Sequence, residues 1–542
     1  MAPLLLLCAC SSAPGKGEDN VAEANEIQIL TVSDWHGQLD PLAIPNVGNV
    51  GGAAVLSAYF AKHRTENPAT LTLTAGDGFG ATPPLASFFE DEPAVRAMNL
   101  MGFDADGLGN HNFDSGLERL TKLIDIAEFP YISANLSGAE REVRCTKPAL
   151  DGVCIHPRVI FDVGGVKVAV IGATNEDAPV MLKPGSLGSI QVTDAAVAVN
   201  EERVKAEKDG AQVFIAMAHL GAIGNDEAGN PVGPLMDWAG KLEGFDLILG
   251  DHTNMVVNTK VNGTPVVENK SSGATYAKIV IKRNGDDFEV ASVDVITPMA
   301  DQVTPDARIE EMLAPYRDKL AVAFDEKVAT ASGVFDRGNN IERLKEVPIG
   351  NLVADSMRVR YQTQLGFTNG GGIRNPLPSS YQPRDTSLRR PGEGFAAGPP
   401  FDLVVGDAFA VLPFGNSVVT RNVTGAQLWG MMEHGVSALP DANGFFGQIS
   451  GFRVTYDSSK PSGQRVVSIV LDGGEAVPND AGTSYTLATS DFIASGGDGY
   501  TMLADNDGTS RDKMAEVLLE HMKSLGTLEP VTDGRLTDVA QP

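Results

Sequence analysis

Apolar and polar positions form a recurring pattern from Glu26 onward. Short β-branched or leucine-rich runs at 27–32, 71–74, 166–171, 213–218 and 247–249 are separated by stretches with helix-like spacing. Four of these runs break directly into a polar segment carrying Asp or His: Ser33-Asp34-Trp35-His36-Gly37, Ala75-Gly76-Asp77-Gly78, His219-Leu220-Gly221 and Gly250-Asp251-His252-Thr253-Asn254. In α/β sheets, functional groups sit on loops beyond the carboxyl ends of the strands, so the pattern predicts one sheet edge where these side chains gather. A stretch with helical spacing, Pro305 to Asp325, separates this half from a second α/β half at about 330 to 535. That half is interrupted by a Pro/Gly/Arg-rich loop from Pro376 to Pro400. The expected division is a leader over 1–24, a first domain over 25–300, a connecting helix over 301–330 and a second domain over 331–542.

The first residues change the picture of where the chain resides. An apolar run ends in Leu7-Cys8-Ala9-Cys10 and gives way to a polar stretch from Ser11 to Glu23. It is too short to span a bilayer, which takes about 20 apolar residues. It resembles a bacterial lipoprotein signal with Cys10 as the lipidated N-terminus, although no Lys or Arg precedes it. The resemblance implies a periplasmic or surface location, with the lipid as the only membrane contact; the other reading is an unattached apolar terminus. Cys145 and Cys154 read as a short-loop disulfide in an oxidising compartment or as two free thiols, and their spacing leaves both open. With 42 Lys+Arg against 70 Asp+Glu, the formal charge of −28 disfavours a nucleic-acid polymer as partner. A local cationic site still accommodates a small phosphorylated substrate. No feature identifies a protein partner.

Of eight His, four fall in or beside strand-end segments: His36, His111, His219 and His252. A lone His is more often structural than a ligand, but four in this setting shift the balance. Asp34 and His36 lie two apart, Asp77 is flanked by glycines, and Gly109-Asn110-His111-Asn112-Phe113-Asp114 offers an amide, an imidazole and a carboxylate. A mixed O/N set without Cys suits two divalent cations of the Zn, Mn or Fe type better than a structural zinc.

In order, these segments resemble the motifs of the 5′-nucleotidase family of two-domain metallophosphoesterases: D-x-H, G-D, G-N-H-x-F-D, H-x-G and G-H-x-[HQN]. The resemblance implies a calcineurin-like α/β sandwich followed by an α/β substrate-binding domain. It further implies that Asp34, His36 and Asn254 hold one metal, that Asn110, His219 and His252 hold the other, and that Asp77 bridges them. His111 would be the catalytic histidine, oriented by Asp114. Asp251 departs from the pattern, standing where Gly is usual, and Asn254 is a weaker ligand than His. By the same likeness, two cations held by two carboxylates leave a local surplus of about two positive charges that attracts a phosphate dianion, and an activated water attacks phosphorus in line.

The resemblance continues from about Glu342 to Asp507. Asn369-Gly370-Gly371-Gly372-Ile373-Arg374 would bring Asn369, the Gly371 backbone and Arg374 to the substrate, with Arg343 as a second cation on the phosphate. Phe414 and Tyr500 would sandwich the nucleobase, Tyr500 standing where Phe is common, and Asp505 would hold the ribose. The other reading makes both rings core aromatics. The 39 residues between Arg374 and Phe414 exceed what the family pattern needs, and the surplus at 381–400 is expected to be a surface insertion rather than a flap. The expected function is phosphate removal from extracellular or periplasmic nucleotides. The rivals are UDP-sugar hydrolysis or 2′,3′-cyclic nucleotide cleavage on the same metals, and a non-catalytic surface binding protein.

Overall fold

The computed structural model describes residues 24–44, 47–146, 153–182, 185–504 and 508–540, so the expected lipidation at Cys10 and ribose contact at Asp505 lie outside the described residues. Six strands position the site: β1 (Glu26–Thr31), β2 (Thr70–Thr74), β3 (Ala105–Gly107), β4 (Val166–Ala173), β5 (Val213–Ala218) and β6 (Leu247–Leu249). Parallel β1, β2 and β3 run side by side within a seven-stranded sheet, whose antiparallel edge is Tyr276–Asn284 and Asp287–Ile296. Parallel β4, β5 and β6 form the middle of a six-stranded sheet.

The sheets pack face to face. Ile27, Ile29, Leu71 and Leu73 of the first share one core with Val168, Val170, Ile215 and Leu249 of the second. The opposite faces are covered as well. Leu30 packs with Leu56 and Phe60 of the helix Ala53–Glu66, and Ala169 and Ile171 pack with Val199 and Trp238. Strands covered on both faces need apolar residues at successive positions, which is why they read as nearly continuous hydrophobic runs.

Helix α1 (Ala307–Phe324) occupies the expected connector. Asp306 caps it, accepting from the Arg308 amide at 3.0 Å and from the Ser57 hydroxyl at 2.8 Å. Ile309, Leu313 and Leu320 are buried, and the Phe324 ring stacks on Phe409 with centroids 4.8 Å apart. Thus α1 is anchored to both halves. The second half centres on a five-stranded sheet in the order Gly447–Ser450, Leu365–Asn369, Ser484–Ser490, Ser417–Thr424, Thr509–Lys513.

The surplus segment at 381–400 is tied down. Tyr381 donates its hydroxyl to Asp325 at 2.5 Å, and Arg390, 3% exposed, meets the fully buried Asp407 at 2.8 Å. Removing one partner of such a pair strands a buried charge, so the segment packs as an insertion rather than hanging as a flap. Cys145 and Cys154 are disulfide-bonded, with Cα atoms 5.4 Å apart.

Candidate active site

The carboxyl ends of both strand triplets meet at one edge. Asp34 and His36 follow β1, Asp77 follows β2, Asn110 and His111 follow β3, His219 follows β5, and Asp251, His252 and Asn254 follow β6. Five of the expected ligands, Asp34, His36, Asp77, His252 and Asn254, have positive φ values between 41° and 86°. Such backbone costs on the order of 1–3 kcal/mol per residue and persists only where the surroundings enforce it, a feature concentrated at functional sites. Glycines permit the crowding: a Cβ on Gly76 would come within 2.9 Å of the His219 ring.

The donor atoms converge in two groups, Asp34 with His36 and Asp77, and Asp34 with His219 and Asp251, each within 4.8 Å. Asp77 also reaches His219, at 3.0 Å, and accepts the His111 amide at 2.9 Å. His36 Nδ1 lies 2.8 Å from the Gly80 carbonyl, so that nitrogen donates and Nε2 keeps its lone pair for the site. His252 Nδ1 stands 3.1 Å from His219 Nε2.

The electrostatics suit a cation-binding site. Burial is the largest influence on each group and disfavours charge. It pulls His36 down to about 4 and, with the neighbouring His219, pulls His252 down to about 3, leaving both as neutral ligands at pH 7. Against the same burial, Asp77 and Asp34 hold His219 up to about 9. The histidines in turn hold Asp77 and Asp34 below the usual carboxylate range, His219 foremost. A proton on His219 thus partly supplies the positive charge that a metal would bring. Buried Asp34 Oδ2, Asn110 Oδ1 and Asp251 Oδ2 accept no hydrogen bond from the surrounding protein, as suits donors to a metal ion. The donor set of carboxylates, imidazoles and amides without thiolate suits divalent cations.

His111 Nδ1 is 2.8 Å from Asp114 Oδ2, which fixes the ring and leaves Nε2 for a substrate. Arg374 brings the second half into the same site, its Nη2 lying 3.5 Å from His36 Nε2. Arg343 and Arg374 line a cavity of about 290 Å³ together with Arg337, His36 and Asn254. Burial, reinforced by Arg343 and Arg337, lowers Arg374 to about 10. Three crowded guanidiniums are poised for an anion. Asn369 donates to Asp498 at 2.6 Å and Gly371 donates its amide to Gly444 at 2.8 Å, so both shape the turn.

The two expected base-clamping rings behave differently. Phe414 stacks on His111, with centroids 5.4 Å apart and planes at 22°, and lies 5.7 Å from the Arg374 guanidinium. The space beside it is about 10 Å³, room for one water. Tyr500 corrects the expectation. Its ring is fully buried against Phe367 and His434, and its hydroxyl donates to the Phe445 carbonyl at 2.5 Å. A tyrosine can satisfy its hydroxyl on an interior carbonyl, as phenylalanine cannot, and here the ring joins the core instead of facing a base.

Several residues escaped the sequence reading. Asn112 accepts from the amides of Gly109 at 2.8 Å and Asp77 at 3.2 Å and donates to Phe79 at 3.1 Å, tying the Asp77 and Asn110 loops together. The fully buried Glu342 pairs with Arg337 and lies 3.7 Å from Arg343. Fully buried Glu268 accepts from Thr253 at 2.7 Å and from the Ala222 amide at 3.0 Å, bracing the loops that carry His252 and His219. The signals available were Asn112 inside the His111 motif and Glu342 beside Arg343; Glu268 had none.

Two α/β halves whose strand ends and arginines share one polar cleft define a two-domain metallophosphoesterase architecture. Residues 327–505 match the model of the 5′-nucleotidase C-terminal domain. The chain is 25% identical to a 5′-nucleotidase of Vibrio cholerae, with 96% of this chain and 94% of that protein covered. It is 28% identical to an endonuclease and 27% identical to a trifunctional nucleotide phosphoesterase of Bacillus subtilis, with 94% and 95% of this chain covered. It spans only 41% and 35% of those two proteins' lengths. The solved structure of a 5′-nucleotidase precursor from Thermus thermophilus superimposes with a TM-score of 0.80 at 25% identity, covering 95% of this chain and all of that one. Over nearly its whole length the chain is thus similar to 5′-nucleotidases, and its second half matches their C-terminal domain.

Proposed function

We propose that the chain is a dinuclear-metal phosphohydrolase that removes phosphate from nucleotides. The observation that carries this reading is the 3.5 Å approach of Arg374 to His36, which joins an arginine cluster and a metal-ligand edge in one cavity. Asp34, His36, Asn254 and Asp77 would hold one cation, and Asn110, His219, His252 and again Asp77 the other. When bound, the pair supplies Lewis-acid polarisation of a phosphoryl oxygen and a nucleophile at neutral pH. Arg343, Arg374 and the newly found Arg337 bind and orient the phosphate. His111, held at Nδ1 by Asp114, gives a proton from Nε2 to the leaving oxygen. The intact ligand set argues against a non-catalytic binding protein.

The reading places the protein outside the cytoplasm, lipid-anchored through Cys10. The Cys145–Cys154 disulfide supports an oxidising compartment, and no helix among the described residues is long and apolar enough to cross a membrane.

A nucleotide would enter by displacing Phe414 from His111. Phe414→Ala then removes a base-stacking ring worth on the order of 1–3 kcal/mol, so kcat/KM for a nucleoside monophosphate falls by about tenfold to a hundredfold. Hydrolysis of a small aryl phosphate stays unchanged or rises as His111 is uncovered. A second reading, small phosphoesters without a base clamp, is favoured by the burial of Tyr500. Paired kinetics on the two substrates separate the readings: equal effects on both would remove the nucleotide assignment.

A further inference from the structure

Asp251 stands where the family motif usually has glycine, and the structure gives its side chain a place that the motif does not explain. It follows β6 and is fully buried, and it belongs to the converging group with Asp34 and His219. Its Oδ1 accepts the amide of His252 at 2.9 Å. Its Oδ2 has no hydrogen-bond partner, and neither has Oδ2 of Asp34. Two buried carboxyl groups side by side must share either a proton or a cation, and burial with the neighbouring Asp34 pushes Asp251 up accordingly. Accepting one backbone N–H needs no negative charge, because an asparagine oxygen does the same.

We propose that Asp251 is an additional carboxylate ligand on the His219 side of the metal site, and that it biases this site toward oxygen-preferring cations such as Mn²⁺ over Zn²⁺. The proposal rests on the two-cation reading above. A third carboxylate lowers the net charge of the loaded site from a surplus of about two to about one, and it adds a hard oxygen donor to a partly imidazole set.

The test uses the full chain and two variants, Asp251→Asn, which keeps the acceptor for His252 and loses the charge, and Asp251→Gly, the residue usual in the family. Each is stripped with chelator, and three quantities are measured without any turnover: the melting temperature, its rise on adding Mn²⁺ or Zn²⁺, and the affinity and stoichiometry for each ion by calorimetry. Metal-free Asp251→Asn should melt close to the parent, since asparagine keeps the acceptor for His252, and its melting temperature should rise less on adding Mn²⁺ than the parent's does. Both variants should bind Mn²⁺ about tenfold or more weakly, with a smaller loss for Zn²⁺. A parent-like rise in melting temperature with each ion and parent-like affinities for both would reduce Asp251 to a cap for the His252 amide and overturn the proposal. Equal losses for Mn²⁺ and Zn²⁺ would overturn the selectivity. A parent that binds two ions alongside unaltered variants rejects only the role of Asp251, whereas a parent that binds no ion rejects the two-cation reading itself.

Discussion

Asp77→Asn should bind both cations more weakly and lower turnover by several orders of magnitude. Asp77 stands with Asp34 and His36 and also lies 3.0 Å from His219, nearer than Asp34 at 3.8 Å. Its other oxygen accepts the His111 amide. The side chain therefore touches both groups of donor atoms and the loop that carries His111. Asparagine preserves the shape and one acceptor but removes the charge that holds two cations near each other. The charge on which nucleophile activation depends is lost in the same change. The residue also has a φ of 52°, which asparagine tolerates, so backbone strain does not confound the comparison. Metal analysis of the purified variant together with its turnover checks the prediction. Two fully bound ions with near-normal activity would remove Asp77 from the bridging role.

His111→Ala is expected to cost roughly 10²–10⁴-fold in kcat, the usual span for losing a positioned general acid. Turnover should fall for both a nucleotide and an aryl phosphate, and further for the nucleotide, whose alkoxide leaving group is the more basic. Metal content should stay at the parental level, because His111 meets the metal edge through its backbone amide, which alanine retains. Asp114→Asn should show a smaller loss in the same direction, since the amide still meets the ring but stabilises the imidazolium less. A leaving group of low basicity, such as nitrophenolate, should shrink the His111→Ala effect. Unaltered turnover on both substrates would assign His111 to the packing it makes with Phe414.

Much of the site was legible in the sequence because chain geometry forces it. Runs covered on both faces must be apolar at successive positions, so β1, β2, β4, β5 and β6 stood out, and the polar residues that end them had to lie on one rim. Asp34, His36, Asp77 and His219 were found for that reason. What a linear reading could not supply was the convergence between rims. Asp251 looked like a departure from a motif, yet the six-stranded sheet carries it to Asp34 of the other sheet. Arg337 lies six residues before Arg343 with no pattern to mark it, and it enters the cavity because Glu342 holds it there. Tyr500 shows the opposite failure. A motif position reports where a ring begins but not which way it turns, and here an interior carbonyl drew it into the core. The short β3, only three residues long, was not distinguishable as a strand, although the Asn110-His111 loop that it presents was plain.

The most direct test of the account is phosphate release from a nucleoside 5′-monophosphate by chelator-stripped protein, with Mn²⁺ or Zn²⁺ returned in steps. The account predicts no measurable release from the stripped chain and recovery that follows metal binding and saturates near two ions per chain. Undiminished release after complete stripping, or none at any metal loading, would contradict it.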